Sequence, residues 1–159
     1  MFGTTYLHEG GILSFFATQE LKIMQISKGL QAATVATVVL SILMVMKSMM
    51  GIMPELDLPK MIAGMMGAPE RPIVGWVVHF MIGIVLYGLA MAFIEDVFSS
   101  GRYILHGMII GFAGWLIMMV MLMPMAGAGM FGMKMGIMAP VMTLMLHLIF
   151  GAVLGWAFG

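Results

Sequence analysis

The sequence contains no cysteine, so disulfides, thiolate metal sites and cysteine nucleophiles are excluded. Charge is nearly as scarce: 9% of residues are Asp, Glu, Lys or Arg, where a soluble surface needs about a quarter. Seven basic side chains balance seven acidic ones, which leaves no net field to attract nucleic acid. A removable signal peptide is not indicated either, because MFGTTYLHEGG lacks a basic start and a small-residue cleavage site after an apolar run. With 62% hydrophobic residues and a mean hydropathy of +1.11, disorder is excluded as well. What remains is an all-α polytopic protein whose partner is the lipid bilayer.

The charge-free stretches mark its spans. Eighteen residues separate Lys28 from Lys47, and a second stretch runs from Pro72 to Ile94 between Arg71 and Glu95. Beyond Arg102 the only formal charge is Lys134, and the Gly- and Pro-containing piece 124–136 divides that region in two. Spans at 29–50, 72–94, 103–123 and 137–158 each approach the roughly 20 residues that a hydrocarbon core demands. The expectation is one membrane domain over 1–159, a transmembrane four-helix bundle with both termini on one side. Residues 11–25 place Ser14, Thr18, Lys22 and Gln25 on one face, as an interfacial helix or a packed extension does. In the first loop, Asp57 suits a helix cap and Pro59 a first turn. The turn Ser99–Arg102 makes its flanking helices antiparallel neighbours. Three basic residues on the terminal side against four on the other set no orientation.

Small residues recur at helical spacing: Gly29 and Ala33, Gly75 and Gly83, Gly107 and Gly111, Gly151 and Gly155. Such faces let helix backbones approach closely where no hydrophobic force drives them together. A bundle this small has more of them than it can bury, which favours a homo-oligomer or a place in a larger membrane complex. The string from His79 to Gly88 echoes the one from His147 to Trp156, with Gly four residues after each His. Duplication of a helical hairpin and convergence on membrane-helix vocabulary both account for this echo.

Ionisable groups within spans are expensive, which singles out three histidines. At about 1.5 Å per residue, His79 lies roughly 8 Å from the midplane toward the first-loop side. His106 lies roughly 10 Å toward the other side and His147 near the centre. His79 and His147 are therefore the pair that tilt can bring together. Glu95 and Asp96, at the end of a span, read as a solvated terminus rather than a proton relay. Methionine is the compositional oddity at 24 residues. Eight lie within 44–66 and ten within 118–142, all on one half of the membrane in this topology. Thioethers and imidazole suit copper(I), so Met46, Met50, Met53, Met121, Met125 and Met142 join His79 and His147 as candidate ligands. Flexible apolar packing is the plainer explanation of the same methionines. Haem is a further alternative, with two axial histidines and room for the macrocycle at Gly83 and Gly151.

Gly127–Gly132 matches G-x-G-x-x-G without the strand that a nucleotide site requires. No hydrolase, metalloprotease or P-loop motif is present, so no enzymatic activity of the chain alone is indicated. The His-x-x-x-Gly strings and the Met123–Gly129 segment, Met-Pro-Met-Ala-Gly-Ala-Gly, resemble those of small uncharacterised four-helix bacterial membrane proteins. That likeness covers helices two to four, implies the bacterial inner membrane, and brings no activity with it. The leading expectation is an accessory membrane subunit engaged in helix–helix assembly. Soft-metal handling is the alternative, ahead of haem binding and small-solute transport.

Overall fold

The structure, a computed structural model, describes residues 5–98 and 101–159, with side chains of the first helix from Ser14 onward. Ser99, Ser100 and the side chain of His8 lie outside the described residues. Helix α1 spans Thr5–Met49, and the short α2 covers Leu58–Met65. Then come α3 at Pro72–Phe98, α4 at Tyr103–Met125 and α5 at Met138–Phe158. Four helices, α1, α3, α4 and α5, are long and apolar enough to cross a bilayer. The protein is an integral membrane four-helix bundle, and no strand occurs among the described residues.

One boundary differs from expectation. Residues 11–25 do not form a separate interfacial helix, because α1 runs unbroken to Met49. No Pro interrupts it, no turn-forming pair follows Gly10–Gly11, and Gly29 is locked in a helix contact instead of serving as a hinge. From Ser14 onward α1 covers 36 residues, about 54 Å of helix, against a hydrocarbon core of roughly 30 Å. Its first portion therefore reaches beyond the bundle. There Phe15, Phe16, Leu21, Ile23, Met24 and Ile26 are all exposed.

The connections follow from local chemistry. Asp57 caps α2 by accepting the Lys60 N–H at 3.1 Å, and Pro59 occupies the first turn where its missing N–H costs nothing. The buried Lys47 ammonium donates to the carbonyls of Ile52, Met53 and Leu56 at 3.2, 3.0 and 2.7 Å. One side chain thus pins the first loop against the end of α1. After α4, Gly127, Gly129, Gly132 and Gly136 all take positive φ, which glycine adopts without penalty and which ends the helix. Leu56 from the first loop and Ala128 from the third pack with Met118, Met119 and Met123 into a core at this end.

Helix α1 packs against both α3 and α5, α5 packs closely on α4, and α3 meets α4 more lightly. Two seams order the bundle. Along α1–α3, Gly29 meets the Gly88 carbonyl, Thr37 fills the space at Gly83, and Ser41 reaches His79. Along α4–α5, Gly107 meets the backbone of Gly151 and Gly155, Gly111 meets the His147 carbonyl, and Gly155 meets that of Tyr103. Gly75 receives the Pro59 carbonyl of α2, and Ala33 is wholly buried. All eight small residues singled out above thus serve contacts within one chain. Tyr87 ties the seams together: its ring meets Phe150 edge-on at 4.8 Å and its hydroxyl lies against Gly114.

Candidate functional site

The α1–α3 seam is antiparallel, and its register follows from its contacts. Thr37 faces Gly83 and Ser41 faces His79 toward the loop side, and Gly29 faces Gly88 beyond the π-helical turn Ile82–Leu86. Polar groups lie at both ends of this seam, with small and apolar residues between. His79 and Glu95 stand 16 residues apart on α3, about 24 Å.

At the loop-side end, His79 is 7% exposed. Its Nε2 lies 3.4 Å from Ser41 Oγ, and that hydroxyl already donates to the Thr37 carbonyl at 2.7 Å. Ser41 is therefore the acceptor, His79 Nε2–H the donor, and His79 Nδ1 keeps a lone pair. Trp76 stands edge-on to the ring at 5.7 Å. On α5, His147 Nδ1 is 2.8 Å from the Thr143 carbonyl, which only accepts, so His147 Nε2 keeps its lone pair. Each neutral imidazole thus has one nitrogen anchored and one free as a base or ligand. A π-helical turn, Ile82–Leu86, begins three residues after His79, an irregularity frequent at functional sites.

Below the pair, Thr143 Oγ1 donates to the Ala139 carbonyl at 2.8 Å and receives Trp115 Nε1–H at 3.1 Å. Met119, fully buried, has its sulfur 3.9 Å from that hydroxyl.

The candidate methionines separate by placement. Met46, Met50, Met121 and Met125 are 52 to 70% exposed on the outer faces of the bundle, away from the histidines. Met53 and Met142 are half-buried. The fully buried thioethers are others: Met91, Met119 and Met123. On the seam itself stands Met44, half-buried and one turn beyond Ser41. Composition marks the methionine-rich segments but not which member faces inward, because a helix turns each successive residue by about 100°.

The space that Gly83 and Gly151 would offer a macrocycle is taken by Thr37 and by the Gly107 backbone. Among the described residues, no group of three or more His, Asp or Glu converges on one point.

At the terminus-side end the structure corrects the solvated-terminus expectation. Glu95 is 3% exposed, and its Oε1 lies 2.5 Å from His106 Nδ1. Asp96, its neighbour, is exposed. The two residues differ by one helical step, which turns Glu95 inward toward α4 and Asp96 outward. The eleven-residue separation of Glu95 and His106 spans the tight turn, and that turn brings the two side chains together.

The chain belongs to DUF6789, a family of unknown function. Residues 23–159 match it, which covers every span of the bundle but leaves the first part of α1 outside. No curated protein and no solved structure matches the chain.

Proposed function

We propose that this protein binds a soft metal ion, copper(I), within the membrane at the His79–His147 pair. The observation that carries the reading is the pair of tautomers. Two imidazoles within the spans, on α3 and α5, each have one nitrogen fixed by a hydrogen bond and one lone pair uncommitted. Neutral ligands bind without loss of a proton, which matters where an added carboxylate charge is costly to bury. Imidazole and thioether both suit copper, and Met44, partly buried against the core one turn from Ser41, is the thioether this reading adds to the histidines. The anchoring contacts from Thr143 and Ser41 act as the outer shell that orients ligating histidines. The exposed methionines, facing lipid or the interface, serve as apolar surface. The likeness to bacterial four-helix proteins favours the inner membrane as its location.

The test is elemental analysis of gently solubilised protein after loading with copper(I) under reducing conditions. One copper per chain is expected, falling by more than half in His79→Ala and in His147→Ala. Equal copper in all three chains sinks the reading.

A second reading, an accessory subunit, is favoured by a different observation. The part of α1 before Gln25 extends past the bundle with Phe15, Phe16, Leu21 and Ile23 exposed. It also lies almost wholly outside the family match. Six apolar side chains between Phe15 and Ile26, left in water, forgo on the order of 1.5–3 kcal/mol each for the largest. Assembly with another membrane subunit or a second copy covers them. Native mass measurement before and after removal of residues 1–22 decides it: a complex lost on truncation supports assembly, and a monomer in both forms contradicts it.

A further inference from the structure

Where α1 ends and α3 begins, the loop side of the bundle carries a cleft of about 300 Å3. Its apolar lining comes from three helices: Met44, Val45 and Met49 of α1, Pro59 of α2 and Trp76 of α3. The cleft is open to the outside, since Val45 and Met49 are 46% and 83% exposed. Helix ends and a span-end tryptophan set it at the depth where acyl chains give way to headgroups.

Ser48, Lys47, Asp57 and Lys60 supply the polar part of the same lining. The Lys47 ammonium is already committed, because its three N–H groups go to three carbonyls of the first loop. Lys60 is different. Its side chain is 68% exposed, and its bridge to Asp57 Oδ2 at 3.2 Å uses one of its three N–H groups. An exposed bridge of this kind holds an ammonium only weakly. The Asp57 carboxylate caps α2 and meets Lys60, which leaves it lone pairs for a further donor. Glu55, exposed, stands in sequence between the lining residues Pro54 and Leu56. One apolar cleft thus carries an available cation and an available carboxylate.

We propose that this cleft binds one zwitterionic phospholipid. The headgroup phosphate takes the open N–H groups of Lys60, the headgroup ammonium meets the Asp57 carboxylate, and part of one acyl chain lies along Val45, Met49 and Trp76. Charge complementarity selects this occupant. An anionic lipid brings the phosphate without the cation that Asp57 and Glu55 attract. A free phosphate leaves the apolar lining uncovered, and a lone cation meets the ammoniums of Lys47 and Lys60. A lipid held here bridges α1 to α2 and α3, at the end of α1 where Lys47 already pins the first loop. The site does not rest on the histidine pair, and neither Val45 nor Lys60 takes part in that pair.

Native mass spectrometry of the full chain, released gently from vesicles of phosphatidylethanolamine and phosphatidylglycerol with identical acyl chains, reads occupancy and selectivity together. One phosphatidylethanolamine per chain is expected to survive release. Phosphatidylglycerol should be held about fivefold less, the worth of one exposed ion pair. Lys60→Ala should weaken retention about tenfold, by removing a charge-assisted hydrogen bond to the phosphate. Val45→Trp fills the cleft and should abolish retention. Inorganic phosphate, added alone as a competitor, should leave the lipid in place. Circular dichroism confirms that each variant is folded, and should Val45→Trp not fold, Lys60→Ala carries the test. No retained lipid, equal retention of both lipids, or retention unchanged in folded Lys60→Ala overturns the proposal. Displacement by inorganic phosphate overturns it too, in favour of a free-anion site.

Discussion

The α4–α5 seam and the α1–α3 seam are both sealed by small residues, yet they are built for different ends. Along α4–α5, backbone meets backbone at three successive levels: Gly155 on Tyr103, Gly107 on Gly151, and Gly111 on the His147 carbonyl. Dispersion between close-packed chains is the binding force there. Along α1–α3 the close contacts occupy only the middle, Ser41 meets His79 at one end, and Gln25 Oε1 is buried toward the other. One seam holds the bundle together. The other carries buried polar side chains, Thr37, Ser41 and His79, among its small residues.

The difference predicts a ranking of substitutions. Replacing Glu95 by Ala leaves His106 buried without the carboxylate it bonds, and loss of about 3–5 kcal/mol is expected for a broken buried pair. Unfolding in mixed detergent micelles, compared with Glu95→Gln, measures it; a loss below about 1 kcal/mol would mean that the pair is solvated. On the other seam, Gly151→Val drives a side chain into the Gly107 carbonyl. The expected cost is about 1–3 kcal/mol or more, with no effect on copper bound per folded chain. Copper lost from folded Gly151→Val would show that the seams do not divide the labour in this way.

Smaller effects test the polar supports. Asp57→Ala, which removes the α2 cap, should cost about 1 kcal/mol by the same unfolding assay. Thr143→Val removes the hydroxyl that receives the Trp115 N–H but keeps the carbonyl that anchors His147. A destabilisation near ~0.6 kcal/mol is expected, typical of hydrogen bonds between membrane helices. Copper binding should persist in that variant, because the His147 tautomer is set by the backbone. Smallest of all, Lys60→Ala breaks only the exposed bridge to Asp57 at 3.2 Å and should change stability by less than about 0.5 kcal/mol.

The spans were legible because about 18 or more residues without charge have few other uses. The seams were legible too, since Gly29, Gly83, Gly107 and Gly151 stand among small residues at the spacing that stacks them on one helix face. What those faces meet was not legible. Spacing describes one helix, and which helix of the chain each glycine meets follows only from the packing of the whole bundle. Glu95 was missed for a related reason. A carboxylate next to a turn carries the same sequence signal whether it faces water or a neighbouring helix. Only the pairing of α3 with α4 tells Glu95 from Asp96. The inward methionine, Met44, was hidden among neighbours of identical chemistry, while Met46 and Met50 turned outward.

The histidine pair is the central claim, and copper(I) titration of the full chain in vesicles tests it most directly. Wild type and the double variant His79→Ala/His147→Ala are compared under reducing conditions, with folding checked by circular dichroism. One tightly held copper per wild-type chain is expected, with none in the double variant and weakened binding in Met44→Leu. Copper retained by the folded double variant, or none bound by wild type, would contradict it.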